Sequence, residues 1–277
     1  AHPQLALRGS EALCRNVIAV IKPPLVFVHG FACDRTDWQA QVDSLGSRTT
    51  VVEYELPGHG STRGTPADCT IGAYGAGLAG MLAELELPPA ILVGHSMGCR
   101  VVLEANRIQP EAVAGLVLVD GSRIAAGDPV AARRAMADEL DGDGYRRFVR
   151  EFFASMFFPS SDPAVARAIC DRAMRLPAEV GRALMTDLAG WDAGDVEDAL
   201  DRVVVPLLAI QSTTMDTALQ RVSLTPGRSS PWLDVIRTHV PGAAVAILPG
   251  PGHFPQIEMA DEVTALIAGF ALDGRGT

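Results

Sequence analysis

The stretch ILVGHSMGCR (residues 91–100) sets a serine between two glycines at the end of an apolar run. A serine hydroxyl becomes a useful nucleophile only when a base takes its proton, so the chemistry in question is covalent catalysis. Residues 94–98 fit G-x-S-x-G, the strand-to-helix turn called a nucleophile elbow. Such a turn strains the serine backbone and pushes its side chain clear of the sheet. Gly94 and Gly98 must then be small so that the next helix packs close behind. The turn also sets Ser96 at a helix N-terminus, where free N–H groups favour developing negative charge. In a chain with 27 glycines the motif alone says little. An apolar strand before it and a helical pattern after it give it weight.

The elements that must hold this serine are legible as short aliphatic runs stopped by Gly, Pro or polar residues. They lie at 24–30, 49–60, 90–96, 115–122, 205–212 and 244–254. Strands buried on both faces read this way, because helices cover both sides of a parallel sheet. Between them, 71–87 has apolar residues at three- and four-residue spacing, weakened by four glycines, and the segment after Ser96 reads as a helix stopped near Pro110. The alternation predicts an open, mostly parallel α/β sheet. It breaks over 123–200, a helical block too large for a loop. The expected organisation is a core of 1–122 and 201–277 with a helical cap, 123–200, lying over the carboxyl ends of the strands as a lid.

Bulk properties narrow the class. The length allows one large domain or two small ones, and 48% hydrophobic residues suffice for a substantial core. A formal charge of −10 argues against nucleic acid as a partner. No run reaches membrane-spanning length, and the N-terminal AHPQLALRGS lacks the basic head and apolar stretch of a signal peptide. Cys14, Cys33, Cys69, Cys99 and Cys170 are dispersed without a CxxC pair, which reads as reduced thiols in a cytoplasmic protein. With no GxGxxG after a strand and no histidine pair at ligand spacing, neither a nucleotide nor a metal cofactor is expected.

Taken in order, FVHGFACDRTDW (27–38), ELPGHGST (55–62), GHSMG (94–98), PLLAIQSTTMD (206–216) and PGPGHF (249–254) resemble the α/β-hydrolase superfamily over nearly the whole chain. Of the six histidines, the resemblance makes His253 the catalytic base; His29, His59 and His95 read as structural, and His239 as a helix-end residue. The orienting acid is expected at Asp216, near where the family carries G-x-x-D, although Ser212 replaces the usual glycine and the aspartate comes one residue late. Asp120, ending LVLVD, competes, because some branches place the acid there. The oxyanion donors implied are the backbone N–H groups of Met97 and Phe31.

FVREFFASMFFPSS (148–161) places five phenylalanines and a methionine within eleven residues of the block. As cap core they bury one another; as a lid they also line an apolar pocket, with Phe153, Met156 and Phe157 facing substrate. The segment 220–242 is similar to that of bacterial esterases that include monoalkyl phthalate hydrolases. That implies a free carboxylate beside the ester, clamped by Arg228, Arg221 or a cap arginine. The expectation is a serine hydrolase acting on a small, partly apolar ester without cofactor. Same-triad C–C hydrolysis, lactone opening, perhydrolysis or a slow ligand receptor are the alternatives.

Overall fold

The structure, a computed structural model, describes residues 22–216 and 220–272. His2, Cys14 and the N-terminal stretch lie outside the described residues. Among these there are eight strands: β1 (Leu25–Val28), β2 (Val51–Tyr54), β3 (Ala90–His95), β4 (Val113–Val119), β5 (Leu207–Gln211), β6 (Thr213–Met215), β7 (Arg221–Ser223) and β8 (Ala244–Ile247). The helices are α1 (Gln39–Leu45), α2 (Ile71–Glu84), α3 (Gly98–Ile108), α4 (Pro129–Glu139), α5 (Gly144–Ala154) and α6 (Pro163–Ala173). They continue with α7 (Ala178–Gly194), α8 (Val196–Asp201), α9 (Pro231–His239), α10 (Pro255–Glu258) and α11 (Ala260–Ala271).

Six strands form one parallel sheet in the order β2-β1-β3-β4-β5-β8, as the aliphatic runs predict. Its two faces follow the two-residue period of a strand. Val26, Val28, Leu92, Leu116 and Leu118 join one core with residues of α2, α3, α7 and α9. Leu25, Phe27, Ile91, Val93, Val117 and Val119 join the other with Trp38, Leu45, Val263 and Ile267 on the α1 and α11 side. Both faces are therefore covered, which explains why these strands read as unbroken apolar runs. The chain builds outward from β1 to β2, then returns to β1's other side with β3. The crevice beyond the carboxyl ends of β1 and β3 is thus a topological switch point, where open α/β sheets bind ligands.

Helix starts are written in the sequence as capping residues. Asp128, Asp162 and Ser230 accept from Ala131, Ala164 and Leu233 N–H, and each is followed by a proline in the first turn. Such a side chain satisfies a donor the helix leaves open, and proline has no N–H to lose there. The block between β4 and β5 contains α4 to α8 and no strand. The small antiparallel hairpin β6–β7, with Thr213 opposite Ser223 and Met215 opposite Arg221, is not anticipated by the aliphatic pattern. No helix among the described residues is long and apolar enough to cross a membrane.

Candidate active site

Ser96 leaves β3 at φ +53°, the left-handed region that a side chain rarely adopts. Its neighbours show what such a turn requires. A Cβ on Gly94 would meet the Gly98 carbonyl oxygen at 2.3 Å, and one on Gly98 would meet the Val28 carbonyl oxygen at 2.5 Å. The helix α3 can start directly behind the serine only because both are glycine. A Cβ on Gly30 would lie 3.2 Å from the Ser96 Cβ, so the turn after β1 presses against the nucleophile. Phe31 follows in that turn, and Met97 is the N-cap of α3, at the helix end where amides have no intrahelical acceptor.

The Ser96 hydroxyl lies 2.7 Å from His253 Nε2, and His253 Nδ1 lies 2.7 Å from Asp120 Oδ2. A carboxylate only accepts, so Nδ1 carries the proton and Nε2 is left to accept from the serine. Burial, with Arg221 and Arg100 nearby, holds His253 well below the ordinary imidazole range, so it stands neutral. Its loop is held on several sides. His253 N–H donates to the Met156 carbonyl at 2.8 Å. Gly252 N–H donates to Glu258 Oε1 at 3.0 Å, and the His253 carbonyl accepts from His95 Nε2 at 2.8 Å.

The carboxylate on the imidazole is that of Asp120, not Asp216. Asp120 follows β4 at φ +44° and is fully buried. Its Oδ1 accepts from Ser212 N–H at 2.7 Å and Thr213 N–H at 2.8 Å, and its Oδ2 from Thr213 Oγ1 at 2.5 Å. With His253 that makes four donors, the set an ionised carboxylate needs. Burial pushes Asp120 upward, while Arg221 and the Thr213 and Ser212 donors pull it down. The physical reason for the departure is the β6–β7 hairpin. After β5 the chain turns its amides toward Asp120 and carries Asp216 out to the hairpin's end, where its carboxylate accepts Gln220 N–H at 2.9 Å.

The phenylalanine-rich segment comes to the same place. Phe153 packs on Phe31 with ring centroids 6.2 Å apart, and Phe157 stacks on Phe254, beside His253, at 5.3 Å. Met156 supplies the carbonyl that holds His253 N–H. Arg228 is not brought in: it is exposed in a turn closed by its own N–H to the Thr225 carbonyl. Arg221 is buried beneath Asp120 rather than facing a substrate. A cleft of about 900 Å³ opens next to Ala32 and Cys33, flanked by Arg63, Arg172 and Arg175. An apolar hollow of about 480 Å³ is lined by Ile124, Met136, Phe148, Phe152 and Ala189. Ser96 lines neither.

Three histidines read as structural have structural partners. Leu56 N–H donates to His29 Nε2 at 3.1 Å, and burial lowers His29 to about 3. Burial also lowers His59 to about 4 and takes His95 well below the usual range. Among the described residues Cys33, Cys69, Cys99 and Cys170 are free thiols, and no group of three metal-ligating side chains is assembled.

The chain's residues 25–266 match the model of the alpha/beta hydrolase family. The chain belongs to that family. Hydrolases and esterases recur among its relatives. An uncharacterized protein of Mycobacterium tuberculosis is 28% identical over 92% of this chain and 77% of its own. The pimeloyl-[acyl-carrier protein] methyl ester esterase of Nitrosomonas europaea is 26% identical, covering 87% of this chain and 92% of its own. A thermophilic esterase from Thermogutta terrifontis superposes with a TM-score of 0.73 at 26% identity, over 90% of this chain and 89% of that one.

Several residues that build the site escape the sequence pattern. Arg100 is 1% exposed, grips Asp192 through Nε at 2.9 Å and Nη2 at 2.7 Å, and donates from Nη1 to the Ser96 carbonyl at 3.0 Å. An arginine on a helix carries no local mark of burial, since the type is mostly exposed. The partner of Arg100 is 92 residues away.

Proposed function

We propose that this member of the alpha/beta hydrolase family is a serine hydrolase that cleaves a carboxylic ester through an acyl-enzyme. The observation that carries the reading is the continuous relay from Ser96 through His253 to Asp120, both links 2.7 Å. His253 takes the serine proton as Ser96 Oγ attacks the ester carbon; Asp120 fixes the tautomer and stabilises the imidazolium. The Met97 and Phe31 N–H groups receive the oxyanion, each contributing roughly 3–4 kcal/mol to the transition state. His253 then returns its proton to the leaving alcohol, and a water activated by the same imidazole releases the acid.

The substrate reading is a small, partly apolar ester. It is supported by esterases among the similar proteins, by Phe153 packed on Phe31, and by Met156 and Phe157 at the His253 loop. Residues 123–200 act as the cap over the core segments 1–122 and 201–277, of which 1–21, 217–219 and 273–277 lie outside the described residues. The contacts of Phe153, Met156 and Phe157 with Phe31 and the His253 loop support that placement. A monoalkyl phthalate-type ester is the narrower form of the reading, but neither Arg228 nor Arg221 stands ready to clamp its carboxylate.

Hydrolysis of p-nitrophenyl butyrate by wild type and Ser96→Ala tests the reading. The expected outcome is clear turnover that falls in the variant by several orders of magnitude, on the order of 10⁶ in kcat. An inert wild type would overturn simple ester hydrolysis and turn attention to lactones and C–C bonds.

A further inference from the structure

Arg221 is an expensive residue in an unexpected place. Its side chain is 1% exposed, and its Nη1 lies 3.7 Å from Asp120 Oδ2. That nitrogen donates to Thr213 Oγ1 at 3.0 Å, the same hydroxyl that donates to Asp120 at 2.5 Å. Nη2 reaches Ser122 Oγ at 3.3 Å, and Nε has no partner among the described residues. A guanidinium taken out of water and only partly hydrogen-bonded costs stability that an aliphatic side chain would not. Packing alone does not account for it.

We infer that Arg221 is a positioning residue: a fixed counter-ion behind Asp120 that sets the pH at which His253 becomes an effective base. The inference rests on the proposed Ser96–His253–Asp120 relay. The charges around the imidazole can be counted element by element. Asp120 follows β4, Arg221 stands on β7, and Arg100 on α3 is paired with Asp192 of α7. His95 at the end of β3 is neutral, and Glu258 on α10 is tied to Gly252 N–H and Ser161 Oγ. Arg100 is partly offset by Asp192, and Arg221 offsets Asp120. An imidazolium at His253 therefore faces a dipole rather than a naked carboxylate. The free base is favoured, and Asp120 stays ionised despite full burial. After burial itself, Arg221 is the largest influence lowering His253. The hairpin that displaces Asp216 from the site is the element that delivers this charge.

The test follows covalent labelling of Ser96 by a fluorophosphonate, which needs the base but no particular ester. Rates are measured from neutral pH down to the lowest pH at which each protein stays folded, for wild type, Arg221→Met, Arg221→Lys and Ser96→Ala. Removing the positive charge in R221M should raise the acid limb by about one pH unit, because a like-charge repulsion on the imidazolium is lost. On that limb the variant then labels about tenfold more slowly than wild type. R221K, which keeps the charge, should hold the limb near its wild-type position. A limb unmoved in R221M, whatever happens to the maximal rate, would leave Arg221 a structural residue and overturn the inference alone. Wild type unlabelled at Ser96 would instead remove the relay, and the inference with it. Should R221M not fold, Arg221→Gln removes the charge while keeping donors for Thr213 and Ser122, and its acid limb must rise in the same way. A limb left at the wild-type position overturns the inference, as does a wild-type His253 midpoint at or above the ordinary histidine value of about 6.5.

Discussion

Asp120 follows the aliphatic strand β4 and Asp216 the short hairpin strand β6, and their surroundings ask for opposite outcomes on substitution. Asp120 accepts four hydrogen bonds in a buried site, so an amide there must turn its NH2 toward a donor or force His253 into the wrong tautomer. Asp120→Asn should therefore lower kcat/KM for p-nitrophenyl butyrate by about 10⁴-fold with the fold intact. Asp216→Asn, out on the hairpin, should leave it within a few-fold. The reverse ranking would return the acid to Asp216. The elbow makes a steric prediction at the same scale. In Gly98→Ala the new methyl group meets backbone oxygens of Val28 and His29 at 2.5 and 2.8 Å, neither of which can rotate aside. Overpacking of this kind costs typically 1–3 kcal/mol, and thermal unfolding should show a lowered Tm together with loss of fluorophosphonate labelling.

Between elements, the inserted block is bound to the core at the points that position the relay. Arg100 on α3 and Asp192 on α7 form a fork-to-fork pair with almost no exposure, and Asp192 also accepts from Ile124 N–H at 2.7 Å. Asp192→Asn leaves a buried guanidinium without its counter-charge. Urea unfolding should report a loss of about 3–5 kcal/mol, part of which Arg100→Met in the same chain restores. Equal stability of D192N and wild type would show that the pair does not bind the two elements. The His253 loop gives the kinetic counterpart. A Cβ on Gly252 would sit 2.2 Å from the Met156 carbonyl, the acceptor of His253 N–H. Gly252→Ala should drive the loop off the end of α5 and cut kcat far more than it raises KM. The strands and the elbow are visible in the sequence because each is local, an apolar run or a pair of glycines, while His253 is reached through the family resemblance of its PGPGHF loop. Arg100 and Asp192 are not visible, because a buried ion pair spanning 92 residues leaves no local period, and the burial of Arg221 against Asp120 is equally non-local. The choice between Asp120 and Asp216 turns on the direction of two backbone amides, 212 and 213, which no side-chain pattern encodes.

Over the whole molecule, the buried imidazoles govern how stability depends on pH. His29 is lowered to about 3, His59 to about 4, and His95 and His253 well below their usual value, in each case chiefly by burial. In the unfolded chain all four titrate near 6.5. As pH falls below that value the unfolded state takes up protons that the native state refuses, so stability is lost as pH falls and is fully present only above it. Each imidazole contributes up to about 1.4 kcal/mol per pH unit, and the four together about 5 kcal/mol per unit, until the native groups begin to protonate near 4 and then 3. Asp37 and Asp120 work in the opposite sense, since their native carboxyls are raised and favour the native state once they protonate. Two such groups offset only part of a slope set by four. The urea midpoint should therefore fall steeply between neutral pH and about pH 5, where the four histidines are charged only when unfolded. Catalysis, which needs His253 neutral, should persist through the same interval in whatever protein remains folded. A midpoint that is flat over this range would show that the histidines are solvated in the native state, and the dry, neutral relay drawn from Ser96 to Asp120 would fall with it.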